Sequence, residues 1–161
     1  MKIHLPVLSE VNAFRQKYRK DLQKLKGLKN LDLLMNEAHH QTFATIDCLQ
    51  CANCCRTTGP LFLERDVKRI SKHLGIPSGA FIEQYLQLDE DGDYVLKSVP
   101  CTFLQADNIC EIYEVRPKAC RQYPHTDQRG QSKIYHLTLK NAELCPAVLN
   151  TLRILVSKSN S

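Results

Sequence analysis

Cys48-Leu49-Gln50-Cys51-Ala52-Asn53-Cys54-Cys55 places four of the chain's eight cysteines in eight consecutive positions, in the pattern CxxCxxCC. Thiols this dense call for a common partner, and in a reducing compartment the usual partner of a thiolate is a soft or borderline metal. A disulfide between the neighbours Cys54 and Cys55 would fight the Cα separation and S–S torsion that such a bridge requires. Small Ala52 and turn-prone Asn53 suit a tightly wound loop. The run sets the expectation of a small fold stapled by metal.

Outward from the run, Cys101, Cys110 and Cys120 are spaced too widely for one knuckle, so the fold has to gather them. Asp107-Asn108 reads as a hairpin turn between two short strands, which would bring Cys101 and Cys110 together. Pro117 suits the first turn of a short helix. That helix would hold Cys120 beside its N-terminal end, where the thiolate is favoured. Cys145-Pro146 opens a last helix through Val148, Leu149, Leu152, Leu155 and Val156. Residues 158–161 are expected to fray.

Between these points the hydrophobic periodicity is mostly helical. Ser9 is the expected N-cap of a helix with Val11, Phe14, Tyr18, Leu22 and Leu25 on one face, and Gly27 interrupts it. A second helical pattern runs from Leu28 through Leu31, Leu34, Met35 and Ala38 towards Ile46. Beyond the run, a helix is expected over Glu64–Leu74, opened by acids, closed by Lys72 and His73, and capped by Gly75. Another starts at Pro77-Ser78. Asp89–Asp93 lacks the twelve-residue spacing of a calcium loop and reads as a polar turn. Tyr94-Val95-Leu96 reads as a strand, and alternation over Gln131–Lys140 predicts another. The fold class is α+β and α-rich. Residues 1–46 form a basic helical arm, and 47–157 a cysteine-cluster domain of helices with short antiparallel strands.

A length of 161 residues suits one domain with a real core. No apolar run is long enough for a membrane span. The N-terminus shows no signal-peptide core, so a cytoplasmic protein with reduced thiols is expected. Of the net charge of +5, residues 1–46 hold eight Lys/Arg against four acids, leaving 14 against 13 beyond them. The arm lacks an interleaved aromatic platform, which disfavours nucleic-acid binding. Its apolar face, through Phe14, Tyr18, Leu22 and Leu25, is expected to pack on the body or on a protein partner. The glycines are scattered, which argues against a nucleotide loop.

The CxxCxxCC run, the block from Cys101 to Cys110-Glu111-Ile112-Tyr113, and Arg116-Pro117, Cys120-Arg121 and Tyr123-Pro124 together resemble the cysteine-cluster family described as a zinc- or iron-chelating domain. That family has been linked to flagellin N-methylases. The likeness spans roughly residues 45–150 and leaves the basic arm outside. Carried over by position, the resemblance implies Cys48, Cys51, Cys54, Cys55, Cys101, Cys110, Cys120 and Cys145 as metal ligands.

Zinc and an iron–sulfur cluster both suit four thiolates. Eight cysteines could fill two such sites, or one site with thiols in reserve. The spacing of Cys48, Cys51 and Cys54 resembles the start of the bacterial ferredoxin run and leans towards iron–sulfur. His125 is weighed as a ligand or proton shuttle against a plain hydrogen-bonded histidine. Arg116 and Arg121 are weighed as counter-charges to thiolates, or as salt-bridge partners of Glu111 or Glu114. The expected function is structural metal binding or metal handling. The alternatives are an iron–sulfur redox or lysine N-methyltransferase enzyme, and a zinc-stabilised module that binds nucleic acid or protein. No catalytic residue is identified.

Overall fold

The computed structural model describes residues 3–159. It divides into two compact units. One comprises the described residues up to Cys51 together with those from Pro124 onward, and the other is Ala52–Tyr123. Helices dominate, with one small antiparallel sheet, which makes the chain an α-rich α+β protein. Among the described residues, no helix is long and apolar enough to cross a membrane.

The first unit is helical. It contains α1 (Leu8–Lys17), α2 (Arg19–Lys26), α3 (Leu31–Phe43), the single turn α4 (Cys48–Cys51), α9 (Gln131–Asn141) and α10 (Pro146–Ser159); α5–α8 belong to the other unit. Ser9 lies inside α1, and Val7 holds the N-cap position. The expected long first helix breaks at Tyr18, whose φ of −106° and ψ of 23° leave the helical well. The apolar stripe survives the break: Val11, Phe14, Leu22 and Leu25 are all buried. They join Leu31, Met35 and Ala38 of α3 and Val148, Leu149, Leu152, Leu155 and Val156 of α10 in one core. α10 runs through Lys158 and Ser159, which the sequence places in a frayed tail. Asn160 and Ser161 lie outside the described residues.

The expected strand over Gln131–Lys140 is α9. Its buried residues, Gln131, Tyr135 and Thr138, fall at helical steps of four and three. The helix is started from a distance, because the Asp32 carboxylate accepts the amides of Gly130 and Gln131, each at 2.8 Å. Those bonds hold the Asp32 carboxyl below its usual range. A cap supplied from α3 overrides the weak period-two signal.

The second unit contains α5 (Asn53–Thr57), β1 (Leu61–Phe62), α6 (Glu64–Leu74), α7 (Ser78–Tyr85), β2 (Leu86–Leu88), β3 (Tyr94–Leu96), a 3-10 turn (Tyr113–Val115) and α8 (Lys118–Gln122). Helix α6 follows its capping pattern: Gly75 ends it at φ +70°, donating to the Lys72 carbonyl. The sheet has order β1-β3-β2, with Phe62 opposite Tyr94 and Leu86 opposite Leu96. Between β2 and β3, the Asp89 carboxylate accepts the amides of Asp91 and Asp93, so this acidic stretch is a turn held by its own backbone. Phe62, Val67, Ile70, Phe81, Leu86, Leu96, Phe103 and Ile112 form the buried cluster. Phe81 stacks on Phe103, with ring centroids 6.2 Å apart.

Candidate metal centre

All eight cysteines are thiols, none in a disulfide. The CxxCxxCC run is interrupted at Ala52, which adopts a left-handed φ of +48° and is buried. This conformation is costly for a residue with a Cβ. It ends the α4 turn and lets α5 start afresh. Cys48 and Cys51 belong to the first unit, Cys54 and Cys55 to the second.

In the second unit the backbone collects four thiols. The Cys101 amide donates to the Cys55 carbonyl at 2.7 Å. From Cys101 the chain makes a narrow loop closed by an isolated bridge between Leu104 and Cys110, with Gln105 and Glu111 amides bonded to the Ile109 and Phe103 carbonyls. The two strands expected here are therefore reduced to one bridge. Asp107 accepts the Ile109 amide and Asn108 turns at φ +69° on one side of the bridge, and on the other the Leu104 amide turns back to the Cys101 carbonyl instead of extending the pair. The loop brings Cys110 back towards Cys101. Cys120 arrives on α8, whose first amide, that of Lys118, donates to Asp66 Oδ1 at 3.2 Å.

Asp66 is a positioning residue that the sequence reading treats only as an acid in a first turn. Its carboxylate is completely buried. It also accepts the Leu63 amide at 3.1 Å and pairs with Arg69 at 2.7 Å. Arg69 in turn donates to the carbonyls of Val115 and Arg116. One carboxylate thus ties α6 to the segment that delivers Cys120. Burial pushes its pKa up, but the Arg69 bond and the two amides outweigh that and hold the carboxyl below its usual range.

The thiols sense one another. Burial, then the charges of Cys55, Cys101 and Cys110, push Cys120 up to about 12, with Arg116 opposing. Burial likewise raises Cys101 and Cys110, each also influenced by Cys55. A hydrogen bond with Cys54, then burial, raises Cys55. Opposing these shifts, the Phe103 and Leu104 amides donate to the Cys101 sulfur, and the Ile112 amide to that of Cys110. Such donors favour a thiolate. Arg116 stacks on Tyr113, 3.9 Å from the ring centroid, and donates to its carbonyl. It makes no ion pair with Glu111 or Glu114 among the described residues, and its charge reaches Cys110 and Cys120.

The first unit holds a second group. Asp47 caps α4 by accepting the Leu49 amide at 2.9 Å. Cys145 sits immediately before α10, and its sulfur accepts the amides of Ala147 and Val148. Burial pushes Cys145 up to about 12 against those amides, and the charges of Cys48 and Cys51 add to the rise. His125 belongs to this unit. It turns at φ +68°, its carbonyl accepts Gln131 Nε2 at 2.7 Å, and burial lowers its imidazole pKa.

Among the described residues, no three His, Cys, Asp or Glu side chains are preassembled in metal-ligating geometry. The fit to a metal is one of donor chemistry. Cys55, Cys101, Cys110 and Cys120 are four neighbouring thiols, half-buried, two of them already receiving amide bonds. Thiols are donors that suit both zinc and iron.

The second unit thus holds five of the eight thiols. The model of the CxxCxxCC family, described as a "Putative zinc- or iron-chelating domain", matches residues 47–146, well over half the chain, and the protein belongs to that family. No curated protein and no solved structure gives a match.

Proposed function

We propose that the protein is a metal-binding module in which Cys55, Cys101, Cys110 and Cys120 hold one metal as a four-thiolate site, and that the metal supplies much of the folding energy of residues 52–123. The observation that carries this reading is the backbone pairing that brings Cys101 to Cys55 and Cys110 towards Cys101. We place Zn²⁺ first. Ligand count alone would equally suit an iron–sulfur cluster. The feature favouring iron–sulfur is three thiolates wound into one loop, and the run is divided at Ala52. Cys54, hydrogen-bonded to Cys55, acts on the site through that neighbour.

Cys48, Cys51 and Cys145 form a second, three-thiolate set in this reading. It binds more weakly, because a closed structural site takes four ligands, and the exposed Cys48 makes it the exchangeable one. A reducing, cytoplasmic setting belongs to the same reading, since thiolates must stay reduced to bind.

The test is elemental analysis and an absorption spectrum of anaerobically purified protein. Roughly one tightly held zinc per chain is expected, lost in Cys120→Ser and retained in Cys145→Ser. A brown protein with iron and sulfide would move the identity to an iron–sulfur cluster. Protein that carries no metal and takes up none on reconstitution would overturn chelation altogether.

A further inference from the structure

The first unit carries a cavity of about 290 Å³ on α1, α2 and α9 that contains no cysteine. Its floor is Leu22, Leu139 and the ring of Tyr135, and almost all of the wall facing the space is carbon. Three cations surround that floor: Arg15, Arg19 and Lys26. Arg19, Leu22 and Lys26 recur at steps of three and four, so α2 presents them as one stripe.

The charges around the cavity are unbalanced. Arg15 is spoken for, donating to Glu143 at 2.7 Å and to the Leu139 carbonyl. Arg19 and Lys26 make no ion pair among the described residues, and no acidic side chain lines the cavity. Two polar atoms of lining residues, Arg15 Nε and the Tyr135 hydroxyl, are buried without a hydrogen-bond partner. Buried polar atoms left unsatisfied are costly and uncommon, and two of the five among the described residues belong to this lining. Gln23 and His136 complete the lining, which carries three cationic side chains and no carboxylate.

We propose that this cavity binds a small amphiphilic carboxylate, its apolar body against Leu22, Leu139 and Tyr135 and its carboxylate at Arg19 and Lys26. The size suits a ligand of about ten to fifteen heavy atoms. A polyphosphate or nucleic-acid backbone would gain nothing from the carbon floor. The tyrosine ring in the wall, Tyr135, is 2% exposed, so no base can stack on its face. An uncharged hydrocarbon would make no use of the exposed cations Arg19 and Lys26 beside the carbon wall.

The site is independent of the metal reading, and its test uses the full chain as purified, titrated with decanoate below its micelle concentration. Calorimetry and amide chemical shifts report the binding. Saturable binding is expected with a Kd on the order of 100 µM, with shifts confined to α1, α2 and α9. Decanol should bind roughly tenfold more weakly, and acetate undetectably. The Arg19→Glu/Lys26→Glu variant should lose about tenfold or more in affinity. Lys20→Glu/Lys24→Glu, the same charge change at positions that do not line the cavity, should leave it unchanged. Circular dichroism confirms that both variants keep their helices. Any of three results overturns the proposal: no saturable binding at about 1 mM decanoate, decanol binding as well as decanoate, or equal losses in the two charge-reversal variants.

Discussion

In the helical unit of α1–α3, α9 and α10, fourteen buried apolar residues, most of them aliphatic, form one core. The unit of residues 52–123 has a cluster of eight, and its β1, β2 and β3 have two, three and three residues. Folded segments of this size are marginal on apolar burial alone. What the second unit has instead is five cysteines, a buried carboxylate tying α6 to α8, and a rim of aromatic contacts around Phe81. The contrast is between a region held by ordinary side-chain packing and one with a smaller apolar cluster, a buried polar cross-link and most of the thiols.

The strongest way to break that contrast is to strip the metal. Hydrogen exchange followed by mass spectrometry should show residues 52–123 losing protection while α3 and α10 keep theirs, an effect on the order of 10 kcal/mol confined to the second unit. Even loss across both units would remove the distinction. Next in size is Leu152→Ala at a fully buried position of α10. It should cost about 4 kcal/mol in denaturant melts and leave metal content untouched.

Asp66→Asn should cost about 2 kcal/mol, because it removes the charge that faces Arg69 and one of the two acceptor oxygens shared by the Leu63 and Lys118 amides, and it should also weaken metal retention. Its pH dependence has a definite sign. The folded carboxyl sits below its ordinary value, so its contribution is complete above the unfolded pKa of about 4. That contribution fades as pH falls through the folded value. The stability gap between wild type and Asp66→Asn, compared at equal metal content at each pH, should therefore narrow on acidification below that point. A gap constant from pH 6 to pH 2 would contradict the assignment. The smallest effect is Gly75→Ala. A Cβ there meets nothing within 4 Å, so only the φ of +70° opposes it, for about 1 kcal/mol.

Legibility from sequence followed the range of the forces involved. Helix α6 could be read almost to the residue because its acids, bases, Gly75 and apolar spacing are all local. Helix α9 could not, since Asp32 in α3 supplies its cap and Leu137, apolar in sequence, is 40% exposed. The cysteines were visible as a group of candidates. Their distribution over two compact units was not, because the boundary falls inside the run, at Ala52 with its positive φ, and the distal cysteines are placed by backbone pairing across the Cys101–Cys110 loop. Asp66 was hidden for the same reason: its partners at Lys118 and Arg69 come from two elements.

Ala52 also bears on any attempt to transplant the motif. In an uninterrupted α-helix, Cys48, Cys51 and Cys55 would fall at steps of three and four and share a face. Copied onto a regular helical scaffold, the eight residues would present a different grouping of thiols from the one folded here. The transferable unit is the run together with a residue that tolerates positive φ and is small enough to be enclosed, which admits glycine and alanine and rejects valine or isoleucine. The letters written as x in CxxCxxCC carry geometric information of their own.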